Sequence, residues 1–192
     1  MKYVSVTQAL SPYVDFSGIR ADVLEAACRR GGVIHAAAAS YARGLWVRSL
    51  APSFHGYFDS FTNWFDQYVD QVLLVEFQLS CDVYKITGKP DLVCILVDGR
   101  FVVVDLKTPI SEKPTWKAQC AAYRYLVHEH YEKRGVVEFK GNKLKIIQAN
   151  YPDCMSLILK GNGQAARAYP YEYADSDFAA FLSARFAYGY FK

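Results

Sequence analysis

The chain has 192 residues, 52% of them hydrophobic and 21% charged, with a formal net charge of +3. That is the composition of one globular domain, residues 1–192, large enough to bury a real core, and the charge is too small to announce a nucleic-acid-binding protein by itself, although local basic patches are compatible with it. No apolar run is long enough to span a membrane, and Met1-Lys2-Tyr3-Val4-Ser5 lacks the apolar core of a signal peptide, so a cytoplasmic protein without membrane contact is expected.

Five cysteines, Cys28, Cys81, Cys94, Cys120 and Cys154, are scattered singly, without the clustered spacing of a zinc or iron–sulfur site. Buried free thiols are the expectation. Tyr3 to Leu10 contains Ser5-Val6-Thr7, Asp15 to Gly18 reads as a loop, and Ala21 to Arg30 has helical composition. Gly31-Gly32 should interrupt that helix. The alanine-rich stretch Val33 to Arg43 then forms a second one, closed by Gly44 and carrying His35 on its first turn. Nothing in the local pattern requires His35 to titrate or to bind a metal.

Tyr57, Phe58, Phe61, Trp64, Phe65 and Tyr68 recur at three- and four-residue spacing, the pattern of a helix with a buried aromatic face. Gln71 to Leu79 reads as a strand in which Glu76 is the single acid. A carboxylate amid Val72, Leu74, Val75 and Phe77 is costly if buried unpaired, so Glu76 either faces solvent or meets a cation.

Leu92 to Val97 and Phe101 to Val104 are β-branched apolar runs of strand length, joined by Asp98-Gly99, a strong short-range hairpin signal. Asp91 opens the first strand and Asp105 closes the second. Antiparallel pairing therefore brings both carboxylates to the same end of the ribbon. Lys107, two residues beyond Asp105, points to the same face at a side-chain period of two. Two carboxylates and an ammonium converge where hard divalent cations and phosphate are held.

Pro109 to Pro114 reads as a loop, after which Thr115 can cap a helix running to about Tyr131, with Gln119 and Tyr123 one turn apart on one face. Val136 to Phe139 and Leu144 to Ala149 have strand character across Gly141-Asn142, and Met155 to Leu159 forms a further strand before Gly161-Asn162-Gly163. Asp175 or Ser176 can cap a last helix, whose Phe178, Phe181, Leu182, Phe186 and Tyr190 make an apolar stripe against the sheet.

Pro90-Asp91, the hairpin and Asp105-Leu106-Lys107 resemble the signature of the PD-(D/E)XK nuclease superfamily. Arg30-Gly31-Gly32-Val33-Ile34-His35 resembles the Arg-Gly-x-x-x-His segment of its RecB-like branch, and Gln119-x-x-x-Tyr123 resembles that branch's Gln-x-x-x-Tyr motif. Each motif alone is weak, but their order and spacing constrain one another. The resemblance runs from Ser5-Val6-Thr7 to the final aromatic helix and is nearest to compact phage-type exonucleases. The cysteines that hold an iron–sulfur cluster in some relatives are absent, and no helicase segment accompanies the module.

The resemblance implies an α/β fold with a restriction-endonuclease-like core, a central mixed β-sheet flanked by helices. It implies a divalent-metal-dependent deoxyribonuclease, an exonuclease acting at DNA ends in recombination, repair or phage DNA processing. A structure-specific endonuclease or resolvase, and a non-cleaving DNA-binding subunit with the same fold, are the alternatives. By the same resemblance His35, Asp91, Asp105 and the Leu106 carbonyl bind Mg²⁺ or Mn²⁺, and Lys107 orients the attacking water. Glu76 ligates through water or meets Lys107, while Gln119 and Tyr123 contact the DNA. The implied partners are single-stranded or duplex DNA ends and a recombination or replication protein, in the cytoplasm of a bacterial or phage-infected cell. The intact carboxylates and lysine favour activity, because a purely structural role gives no reason to keep a cluster of like charges.

Overall fold

A computed structural model describes residues 2–109, 112–133, 137–139, 142–144 and 151–192. In chain order these form β1 (Val4–Ser5), α1 (Val6–Leu10), α2 (Ala21–Ala42), α3 (Pro52–Tyr68), β2 (Val69–Val75), β3 (Leu79–Cys81), β4 (Ile86–Gly88) and β5 (Leu92–Leu96). Then follow β6 (Phe101–Lys107), α4 (Pro114–Glu132), β7 (Val137–Phe139), β8 (Asn142–Leu144), β9 (Asp153–Ile158), β10 (Arg167–Pro170) and α5 (Ala174–Phe191).

The main sheet has the order β10-β9-β6-β5-β2 and is mixed, since β6 and β9 run parallel while the other neighbours are antiparallel. A smaller sheet, β1-β4-β3, pairs β1 parallel to β4. Strand alternation divides the interior into two layers. Val93, Val103 and Cys154 pack with Leu10 of α1, Leu126 of α4 and Phe181 of α5. Leu92, Cys94, Val102, Val104 and Leu157 pack with Ile34 and Ala38 of α2 and Phe61 and Trp64 of α3. The result is the expected central mixed sheet with helices on both faces.

The aromatic repeat of α3 is mainly core, as its periodicity predicts, but Tyr68 at its end is exposed. Phe61 and Trp64 are buried, and Tyr41 of α2 meets Phe58, Phe61 and Phe65 edge-on at 5.6–6.3 Å. Burying one such ring contributes on the order of 1.5–3 kcal/mol. At the start of the chain, Ser5 and Gln8 form a reciprocal capping box, a Ser-x-x-Gln signal that fixes the entry to α1.

Several boundaries differ from the sequence expectation. Gly31-Gly32 does not break a helix: α2 runs unbroken from Ala21 to Ala42, so His35 sits in its middle rather than on a first turn. Two helical glycines cost about 1 kcal/mol each relative to alanine, and the burial of Ile34, Ala37 and Ala38 further along outweighs that. Gly44 does close the helix, at φ +67°, with its own N–H on Tyr41 O and the Leu45 N–H on Ser40 O. The strand expected over Gln71 to Leu79 spans Val69–Val75 and stops because Glu76 turns to φ +48°.

Helix α4 starts with Pro114 at its first position, where the missing N–H costs nothing, and Thr115 lies inside it rather than capping it. Helix α5 begins after Tyr173, which places Asp175 in its first turn beside the positive end of the dipole. Its stripe is also shorter than expected. Phe181 packs against α4 and α1 side chains, while Phe186 and Tyr190 are exposed. Strand β10, which no sequence signal marked, closes one edge, and Cys28 is exposed where the other four cysteines are buried. The expected hairpin across Gly141-Asn142 is present as β7 and β8, with Asn142 already in the second strand; residues 136 and 145–149 lie outside the described residues. Among the described residues no helix is long and apolar enough to cross a membrane.

Two glycines should respond to alanine in opposite directions. A Cβ on Gly32 meets nothing within 4 Å, whereas one on Gly56 would lie 2.0 Å from the Gly161 carbonyl oxygen. Gly32→Ala should therefore raise stability by about 0.5–1 kcal/mol. Gly56→Ala should lower it by about 2 kcal/mol or more, because backbone must move. Thermal melts of the two variants measure both.

Candidate metal centre

Turn chemistry sets the centre. Strands β5 and β6 pair Leu92 with Val104, so Asp91 and Asp105 stand one residue beyond that pair, at the same end of the hairpin. The Leu96 and Arg100 backbones close the other end around Asp98-Gly99. The loop between the strands is Val97-Asp98-Gly99, one residue longer than a two-residue Asp-Gly turn, with Gly99 at φ +86°.

Asp91 ties three segments together. Its Oδ2 accepts the Leu106 N–H at 2.7 Å, its Oδ1 lies 3.0 Å from His35 Nδ1, and its main-chain carbonyl accepts the Glu76 N–H at 3.1 Å. His35 is delivered by α2, whose C-terminal end is fastened to the sheet by Arg43 Nη2 on Val75 O at 2.6 Å. Glu76 reaches the same place because β2 carries two register shifts against β5 and then leaves the strand at a positive φ. One ligand atom from each of His35, Glu76 and Asp91 lies within 4.8 Å of the others.

Asp105 and Lys107 form the adjoining half. Asp105 is 2% exposed, and the Lys107 ammonium lies 2.6 Å from its Oδ2. That oxygen is buried and takes no directed hydrogen bond among the described residues, so the ion-pair contact is what meets its charge. Lys107 Nζ also donates to Gln119 Oε1 at 3.0 Å and stands 5.3 Å from the Trp116 ring centre. Gln119 Nε2 in turn donates to the Tyr123 hydroxyl at 3.2 Å. Gln119 and Tyr123 do share one helical face, but that face turns toward Lys107. Tyr123 is buried, and a Cβ on Gly88 would lie only 2.8 Å from its ring.

Burial by itself would depress the His35 imidazole, but the hydrogen bond and charge of Asp91 outweigh it and hold the pKa above the ordinary histidine value. Burial would likewise raise Asp91, but His35, the Leu106 N–H and Lys107 together keep it below the usual carboxylate value. Burial lifts Asp105, and the Asp91 charge adds to the rise against the pull of Lys107. Lys107 stays above an ordinary lysine because Asp105 overcomes the effect of burial. Two neighbouring buried carboxylates are thus pushed in opposite directions, Asp91 below and Asp105 above the ordinary carboxylate value.

These donors suit a divalent cation. Carboxylate oxygens from Glu76 and Asp91 and an imidazole nitrogen face one point, and a third carboxylate beside them lacks a directed hydrogen bond. Of the residues expected at the site, His35, Glu76 and Asp91 come together directly, and Asp105 and Lys107 pair next to them. Leu106 gives its N–H to Asp91 while its side chain is buried. The cation that meets Glu76 is Lys89, at 2.5 Å, not Lys107. Sequence reading did not single out Lys89, and no spacing rule could have found it, because the contact depends on Glu76 leaving its strand.

A family model described as the PD-(D/E)XK nuclease superfamily matches residues 15–183, a span that contains every residue of this centre. Comparison with curated proteins finds no match.

Proposed function

The chain belongs to the PD-(D/E)XK nuclease superfamily, and on that premise we propose that it is a divalent-metal-dependent deoxyribonuclease acting exonucleolytically at DNA ends. The observation that carries this reading is the junction at the hairpin end, where His35, Glu76 and Asp91 meet the Asp105–Lys107 pair. His35, Asp91 and Asp105 would hold Mg²⁺ or Mn²⁺ with help from the Leu106 carbonyl, and Glu76 joins that set directly. When bound, the ion neutralises charge growing on the phosphate and lowers the pKa of water. Lys107 then orients the attacking water and balances its developing charge, which an ammonium does while remaining protonated. Asp105 keeps Lys107 charged, and Gln119 fixes the direction of its ammonium.

The end-directed character is supported by the histidine and the Gln119/Tyr123 pair, which resemble the end-processing branch. In this chain the pair acts chiefly by holding Lys107, with half-buried Gln119 on its ammonium and buried Tyr123 behind Gln119. Gln119→Ala should therefore slow single-turnover cleavage about tenfold, the loss of one charge-assisted hydrogen bond, with little change in DNA affinity measured in Ca²⁺. Tyr123→Phe should give a smaller loss.

End-labelled and circular DNA, single- and double-stranded, incubated with Mg²⁺, Mn²⁺ or EDTA, tests the whole reading. Linear DNA should be degraded from its ends only with metal, and circles should survive. Cut circles would assign a structure-specific endonuclease or resolvase, and binding without cleavage would assign a non-cleaving subunit. Undiminished cleavage in excess chelator would refute metal dependence. Work on DNA ends in the cytoplasm, beside a recombination or replication protein, is the setting we propose for it.

A further inference from the structure

Lys89 has no role in the chemistry described so far, yet it occupies the centre. Its Nζ lies 2.5 Å from Glu76 Oε2, in a pair where Glu76 is only 19% exposed and Lys89 is 52% exposed. Glu76 is also one of the three groups whose ligand atoms converge within 4.8 Å. One carboxylate therefore faces two competitors for the same lone pairs, the Lys89 ammonium and a divalent cation. Where the dication takes the same oxygen, like-charge repulsion and crowding weaken the ammonium's hold on it, and half-exposed Lys89, unlike buried Lys107, is free to swing away.

We propose that Lys89 is a latch on Glu76, displaced when the cation binds and thereby freed to take a phosphate of the bound nucleic acid. The placement supports this destination. Lys89 lies two residues before Asp91, immediately ahead of buried Pro90, so its backbone is fixed at the rim of the centre while its long side chain stays in solvent. Other carboxylates close to the centre are engaged, Asp91 by His35 and Leu106 and Asp105 by Lys107. The negative charge that arrives at the rim with a loaded centre is the substrate backbone. The latch makes metal and nucleic acid bind cooperatively, because each removes a reason for Lys89 to remain on Glu76. This rests on the nuclease reading above and adds a positioning residue to it.

The test measures binding, without turnover, in wild type, Lys89→Met, Glu76→Gln and the double variant. Calorimetric titration with Mn²⁺ should show Lys89→Met binding the ion about threefold to tenfold more tightly than wild type, since its competitor is gone. DNA affinity is then followed against salt, once in Ca²⁺ and once in EDTA. In Ca²⁺, Lys89→Met should weaken binding and reduce the salt slope by about one phosphate contact. In EDTA it should change neither quantity, because Lys89 is then held by Glu76. Glu76→Gln should steepen the EDTA slope by about one contact, and adding Lys89→Met should cancel that gain.

Equal losses for Lys89→Met with and without metal would overturn the latch, as would an unchanged Mn²⁺ affinity, while leaving the nuclease reading intact. Failure of the wild type to bind Mn²⁺ at all would overturn both.

Discussion

Lys107→Met should cut single-turnover cleavage by about a thousandfold and leave DNA affinity in Ca²⁺ within about threefold of wild type. The split follows from position. Lys107 is 14% exposed on its side chain and turned inward onto Asp105 and Gln119, so it has little to offer a ground-state DNA backbone. On the proposed mechanism its charge counts when charge develops at the attacking water. A side effect in the folded state makes the variant diagnostic. Asp105 already has a pKa above the usual carboxylate value through burial, and losing Lys107 pushes it higher.

A carboxyl raised in the folded state contributes stability below its unfolded pKa and loses it as pH rises through the folded value. The melting deficit of Lys107→Met in EDTA should therefore be largest near neutral pH and shrink as the pH is lowered and Asp105 becomes protonated. A deficit independent of pH would mean that the lysine's hydrocarbon packing, not its charge, supports Asp105.

The second large effect is expected from Asp105→Asn, which should abolish cleavage and lower the metal-free melting temperature. Like-charge repulsion from Asp91 argues for the opposite sign in stability, since removing one of two neighbouring carboxylates relieves it. The ion pair decides the matter. Lys107 would be left charged and largely buried without its partner, and breaking a buried pair from one side costs more than the repulsion returns. Because Gln119 still accepts one hydrogen bond from Lys107, the net loss should be about 1–3 kcal/mol, or about 3–10 °C for a chain of this size. Asp105→Asn/Lys107→Met should recover most of it, since the double variant no longer buries either charge. Calorimetry of the single and double variants in EDTA measures the difference. A raised melting temperature in Asp105→Asn alone would show that the Asp91–Asp105 repulsion dominates the metal-free protein.

Much of the centre was legible before any coordinates because its geometry is local. The Asp-Gly signal marks the hairpin, the three-residue loop Val97-Asp98-Gly99 gives the register that puts Asp91 across from Asp105, and a period of two puts Lys107 beside Asp105. The aromatic helix was legible for the same reason, one period read over several turns. What escaped were features decided by partners distant in sequence. The continuity of α2 through Gly31-Gly32 comes from packing on α3, which outweighs propensity. The Glu76–Lys89 contact needs a strand to end at a positive φ that no glycine announces. The burial of Tyr123 also had no signal. An amphipathic helix shows which residues share a face, but not whether that face meets solvent or the sheet.

The parallel pairing of β6 with β9 has a consequence for how the protein is made. His35, Glu76, Asp91, Asp105, Lys107 and Gln119 all precede β9, whose Ser156 lies opposite Asp105 and whose Ile158 lies opposite Lys107. Antiparallel β5 can join β6 as soon as both leave the ribosome, since a hairpin forms in microseconds. Parallel β9 must wait for a long crossover, and such non-local pairing is intrinsically slow. A growing chain thus holds every reactive group of the centre while Asp105 and Lys107 still lie on an open sheet edge, wet and unaligned. On the proposed function, hydrolytic competence should therefore arrive late in synthesis, together with the completion of the sheet.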